Sequence, residues 1–202
     1  MTLPVRIENL GGARAIVLHR PHAVVHTLSR QLAAIGLHMT QCWPELGPDS
    51  LAADFVFFDA DMGYDEQFAW SPGSAPMPMI ALIGSEAPGR VEWALRAGAH
   101  AQLLKPVGDH GVYSALLIAR TAFAAERARA AEIADLRRRL AERQTVVQAV
   151  VLLVLRGKPE SEAYGQLRQM AMAWRVSIED AAARIVAQYS EGKDRDDRRG
   201  RG

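Results

Sequence analysis

The chain has 202 residues, room for one full domain plus a helical extension or second small domain. Its single cysteine, Cys42, excludes an intramolecular disulfide and offers no CxxC or Cys/His spacing for a metal, so it reads as a buried apolar residue. No run of 18 apolar residues and no signal-peptide order at the N-terminus is present, which leads us to expect a soluble cytoplasmic protein with no metal and no cofactor. The net charge of +1 conceals an asymmetry. Residues 1–119 hold 7 Lys/Arg against 11 Asp/Glu, residues 120–175 hold 11 against 6, and residues 176–202 hold 6 of each, so the positive charge sits in the middle-to-late segment, as a nucleic-acid partner requires.

In chain order, short apolar runs recur at Ala15–Leu18, Phe55–Phe58, Met79–Ile83 and Ala101–Leu104, bounded by polar residues, Gly or Pro, and they predict buried parallel strands. A further short strand is expected over His38–Gln41. Helical spacing lies between them over Val24–Ile35 and Arg90–Ala97, with Gly36 and Gly98 placed as C-caps. This βαβ alternation predicts an α/β, flavodoxin-like open parallel sheet with helices on both faces over residues 1–110.

From Val112 to Arg156 there is neither Gly nor Pro, which predicts one helix far longer than the globular average. Ile133, Leu136, Leu140, Val147, Val150 and Val154 follow 3 and 4 spacing, with Arg143 in one core slot, and predict a short coiled coil that dimerises the chain, residues 111–142 being assigned as the long helix and coiled coil. Upstream, Glu126 and Arg129 break that register. A second helix is expected from Pro159 through Ala163, Leu167 and Ala171 to about Arg175. Ser177-Ile178-Glu179-Asp180 resembles a capping box that opens a third helix to about Tyr189. Residues 143–190 thus form a small three-helix module, and the Gly- and charge-rich residues 191–202 read as a disordered tail.

Asp59-Ala60-Asp61-Met62 after the third strand and Leu104-Lys105-Pro106 after the fifth resemble the response-regulator receiver domains, in which the first Asp accepts phosphate and the Lys pairs with it. Phosphoryl transfer to a carboxylate also needs a divalent cation, held by an acidic pair after the first strand. Here His19-Arg20-Pro21 stands in that place, and Ile83-Gly84 replaces the usual hydroxyl after the fourth strand, with Ser85 beyond it. Asp59 and Lys105 therefore read as a vestigial site forming a structural ion pair, with Arg20 as a competing cation.

The segment Arg143–Ile185 resembles the ANTAR domain, a three-helix RNA-binding module of antiterminators. The matching residues are Gln148-Ala149, Leu152-Leu153, Glu162-Ala163-Tyr164, Leu167-Arg168, Ala171-Met172, Ile178 and Ala181-Ala182, while Val150 and Val154 replace a common basic residue and a common Met. With Gln41-Cys42-Trp43-Pro44 after the second strand, the whole chain is similar to the AmiR group of these antiterminators, whose receiver likewise lacks the acidic pair. The resemblance implies a non-enzymatic regulator that binds leader-mRNA hairpins, prevents terminator formation and is controlled by an amide-sensing, periplasmic-binding-protein-like repressor of the AmiC kind. Independently of the family, Arg143, Arg156, Lys158, Arg168 and Arg175 are candidate phosphate donors, Gln148 is a polar contact, and Tyr164 and Trp174 are stacking candidates. Each of these cations also fits a merely solvated helix face, of which Arg137-Arg138-Arg139 is the clearest case. The rival reading is a response regulator using its terminal helices on duplex DNA, although no tight turn and recognition helix is recognisable. No Gly-rich phosphate loop or catalytic triad supports an enzyme.

Overall fold

A computed structural model describes residues 9–199, with side chains described for residues 9–189. The chain divides after Ala128 into two compact units.

In the first unit, five strands pair in parallel in the order β2-β1-β3-β4-β5: β1 (Arg14–Leu18), β2 (His38–Cys42), β3 (Phe55–Asp59), β4 (Met79–Ile83) and β5 (Ala101–Leu104). This is the doubly wound order in which the strands' C-terminal edge collects functional residues. Every residue of β3 and β4 is buried, whereas no residue of the edge strands β2 and β5 is fully buried, as expected where only the central strands are covered on both faces.

Side-chain alternation splits the core in two. On one face Ala15, Val17, Phe55, Phe57, Ile80 and Leu82 pack with Val25, Leu28 and Leu32 of α1 (Ala23–Ile35) and with Val112 and Leu116 at the start of α3 (Val112–Leu155). On the other, Leu18, Val56, Phe58, Met79, Ala81 and Ile83 meet Ala94 and Ala97 of α2 (Pro88–Ala97). Gly36 and Gly98 end α1 and α2 in the left-handed conformation, as the sequence predicts.

The β3–β4 crossover has only a short 3-10 turn at Asp65–Gln67. Aromatic packing covers the sheet there: Phe58 meets Phe68 and Trp93 edge-on, Phe68 stacks on Trp70, and Trp93 donates its indole N–H to Asp65 (2.7 Å). Cys42 is half-buried against this core rather than fully buried, because β2 is an edge strand, and burial pushes its thiol pKa up.

The second unit holds the C-terminal part of α3, α4 (Glu160–Trp174) and α5 (Ile178–Arg199). Its core is Ala149, Leu153, Ala163, Leu167, Ala171, Ala181, Ala182 and Ile185. Alanine dominates because close helix approach leaves no room for larger residues. Arg175 ends α4 with a left-handed φ of 56°, and the Ser177 hydroxyl accepts the Asp180 amide (3.0 Å) as the capping pattern requires. α5 runs to Arg199, past the end expected near Tyr189, and residues 200–202 of the expected tail lie outside the described residues. Each residue added to a nucleated helix gains a hydrogen bond, so the apolar pattern stops before the helix does.

Candidate functional site

The C-terminal edge of the sheet gathers Asp59, Asp61 and Lys105. Asp59 ends β3 and is 1% exposed. Its Oδ1 receives the Lys105 ammonium at 2.7 Å and the Asp61 amide at 3.0 Å, so the expected Asp59–Lys105 pair is present. Lys105 also reaches Asp61 Oδ2 at 2.6 Å.

The competing cation is not Arg20. Its side chain is exposed, while His19, buried at the end of β1, places Nε2 3.2 Å from Asp59 Oδ2. Successive residues of an extended chain face opposite ways, and this one turns His19 inward. The His19 ring is held by its Nδ1, which donates to the Arg20 carbonyl oxygen at 2.6 Å. Nε2 is close to the carboxylate but not aligned for a hydrogen bond, so the ring fills the space beside Asp59. No local signal identifies His19, because its partner lies 40 positions away in the sequence. An imidazole and an ammonium thus meet the Asp59 carboxylate, whereas a hard divalent cation needs oxygen ligands. Among the described residues no cluster of three or more His, Cys, Asp or Glu is suited to a metal ion.

In the second unit the six predicted contact residues, Arg143, Gln148, Arg156, Lys158, Arg168 and Arg175, are all exposed. They do not form one site. Arg143 and Gln148 line a shallow groove of about 490 Å3 with Gln144 and Val147. Lys158 lines another of about 420 Å3 with Glu162, Gly165, Gln166 and Gln169. Arg156 lies over the Tyr189 ring at 5.9 Å. By contrast, Arg138 and Arg139 both pair with Asp135 in their own helix, as a solvated helix face would.

Tyr164, Arg168, Met172 and Arg175 recur at intervals of four, four and three and are all exposed, one position round from the buried Ala163, Leu167 and Ala171. Met172 is 67% exposed and belongs to this stripe. Trp174 instead packs against the core with Arg184 over its ring at 5.7 Å, which removes it from the surface stacking candidates. Val150 and Val154 also pack there, which explains why both positions are apolar. Sequence reasoning missed Gln166, whose buried Oε1 has no hydrogen-bond partner and which lies in the groove beside Lys158.

The family model described as AmiR, N-terminal, matches residues 13–120, and that of the ANTAR domain matches residues 134–186. No curated protein matches the chain. Among solved structures, the chain is similar to the Rec1 domain of ShkA in complex with c-di-GMP, at 22% identity over 55% of this chain and 95% of that one, TM-score 0.43. It is similar to full-length FixJ from B. japonicum at 18% identity over 88% and 98%, TM-score 0.44. A response regulator receiver protein from Burkholderia phymatum matches at 23% identity over 48% and 86%, TM-score 0.38. A receiver-like parallel sheet, a long helix and a C-terminal ANTAR domain follow one another in this chain, which belongs to the AmiR family of antitermination regulators.

Proposed function

We propose that this regulator binds hairpin loops of a leader mRNA through the exposed face of α4 and so prevents a terminator from forming, without catalysis, in the cytoplasm. The observation that carries this reading is the stripe Tyr164, Arg168, Met172, Arg175. Two guanidinium groups supply phosphate neutralisation, and the exposed Tyr164 ring before them and the polarizable Met172 thioether between them suit unpaired bases. Arg143, Gln148, Arg156 and Lys158, all exposed on the same unit, are further candidate contacts outside this stripe.

Ile133, Leu136, Leu140 and Val147 are each about half exposed or more, and a second copy of α3 packed in parallel would cover them. The homodimer would bring two ANTAR modules to one transcript, raising the effective concentration of the second contact. Control falls to a ligand-sensing partner resembling the amide-binding AmiC-like repressor rather than to phosphate, because Asp59 faces His19 and Lys105 instead of metal ligands. Among the described residues no helix is long and apolar enough to cross a membrane, and no membrane role is proposed.

The test is the affinity of the full chain, measured against salt, for a pool of hairpin RNAs with randomised loops and for duplex DNA of matched length. Tighter binding to a subset of hairpins supports the proposal. Equal or tighter binding to the duplex overturns it in favour of a DNA-binding regulator.

A further inference from the structure

The residue of the strand-edge cluster with no part in the reading above is Asp61. Its carboxylate crosses to the start of the β4–α2 loop, where Oδ2 accepts the Gly84 amide at 2.8 Å and Oδ1 accepts the Ser85 amide at 3.0 Å. Lys105 donates to the same carboxylate at 2.6 Å. The fit also depends on the loop sequence: a Cβ on Gly84 would lie 2.6 Å from Asp61 Oδ2, so only glycine lets the carboxylate seat against the backbone. Burial works against the charged form of Asp61, but the Lys105 and amide hydrogen bonds and the Lys105 charge outweigh it and hold the carboxyl below the ordinary carboxylate range.

We propose that Asp61 is a resident anion that pins the β4–α2 loop to the end of β3, occupying the donors that an anion delivered to Asp59 would need. Those donors are the Lys105 ammonium, which Asp61 shares with Asp59, and the two amides just past the neighbouring strand β4, both of which Asp61 accepts. The loop is therefore set by the chain's own carboxylate and does not wait for a ligand or a covalent modification. A charged acceptor facing two aligned amides and an ammonium makes stronger hydrogen bonds than a neutral one.

Amide hydrogen exchange on the full chain, read residue by residue, tests this. Asp61→Ala should speed exchange at Gly84 and Ser85 by about tenfold or more while Leu82 in β4 stays protected. Asp61→Asn, which keeps an oxygen acceptor but loses the charge, should fall between Asp61→Ala and the wild type. Gly84→Ala reaches the same contact from the loop side and should speed Ser85 alike, and the double variant should be no faster than either single one. Wild-type exchange at Ser85 in Asp61→Ala, or additive effects in the double variant, would overturn the proposal.

Discussion

Both units carry clustered charge, and they dispose of it in opposite ways. At the C-terminal edge of the sheet, Asp59, Asp61 and Lys105 satisfy one another beside the buried His19, and the carboxylate of Asp59 is sealed from solvent. On α4, Arg168 and Arg175 face solvent beside Tyr164 and Met172. Charge paired inside a domain fixes its local structure, whereas charge displayed beside apolar surface is available to a polyanion. The comparison teaches that a family's reactive motif is read through its surroundings: Asp59 and Lys105 keep the motif but are paired with each other, while the proposed RNA surface lies in the other unit.

The largest expected effect separates the units. Leu167→Ala empties the centre of the three-helix core and should cost about 3 kcal/mol of that unit's stability, seen as loss of amide protection in α4 and α5. Protection in β3 and β4 should persist; its loss would show that the two units do not unfold separately.

Next is Asp59→Asn. Removing the buried charge leaves the Lys105 ammonium with Asp61 as its one carboxylate, at a cost of about 2 kcal/mol in denaturant unfolding of the first unit. Hairpin RNA affinity should stay within about twofold of wild type, because the strand-edge cluster and the α4 face belong to different compact units and share no partner residue. A large loss of affinity would tie the strand-edge cluster to RNA output.

Arg168→Ala sharpens the other side of the comparison. Hairpin affinity should fall about tenfold, and the slope of log affinity against log salt should shrink by about 0.7 to 0.9, as for one lost phosphate contact. A weaker affinity with an unchanged slope would assign Arg168 to base or packing contacts.

The smallest effect is on pH. Burial lowers the His100 pKa below its ordinary 6.5, and the nearby Glu126 carboxylate only partly offsets it. The cause is visible in the geometry, since His100 Nδ1 accepts the Met79 amide at 3.1 Å and cannot do so once protonated. The unfolded chain therefore binds the proton more readily. The stability this group contributes is complete above about pH 6.5 and is lost as pH falls from there toward the folded-state value. Unfolding midpoints between pH 7.5 and 5.5 should show this decline in the wild type and a flatter profile in His100→Asn.

Much of the fold was legible because its signals are local. The apolar runs of β3 and β4, the glycines after α1 and α2, the unbroken stretch of α3 and Ser177 before α5 each act within a few residues. What was not legible depends on distant partners. Arg20 and His19 are adjacent, and only the folded chain shows which one turns toward Asp59. Cys42 looked like a core residue until β2 proved to be an edge. Met172 is the instructive exception: a step of 100° per residue already separates it from Ala163, Leu167 and Ala171, so its exposure was present in the spacing.

The central claim, that the displayed face of α4 is the RNA-binding surface, is tested most directly by the triple substitution Tyr164→Ala, Arg168→Ala, Arg175→Ala. All three side chains are exposed, so helical circular dichroism should be unchanged while hairpin RNA affinity falls by about 100-fold or more. Wild-type affinity in a folded triple variant would contradict the account.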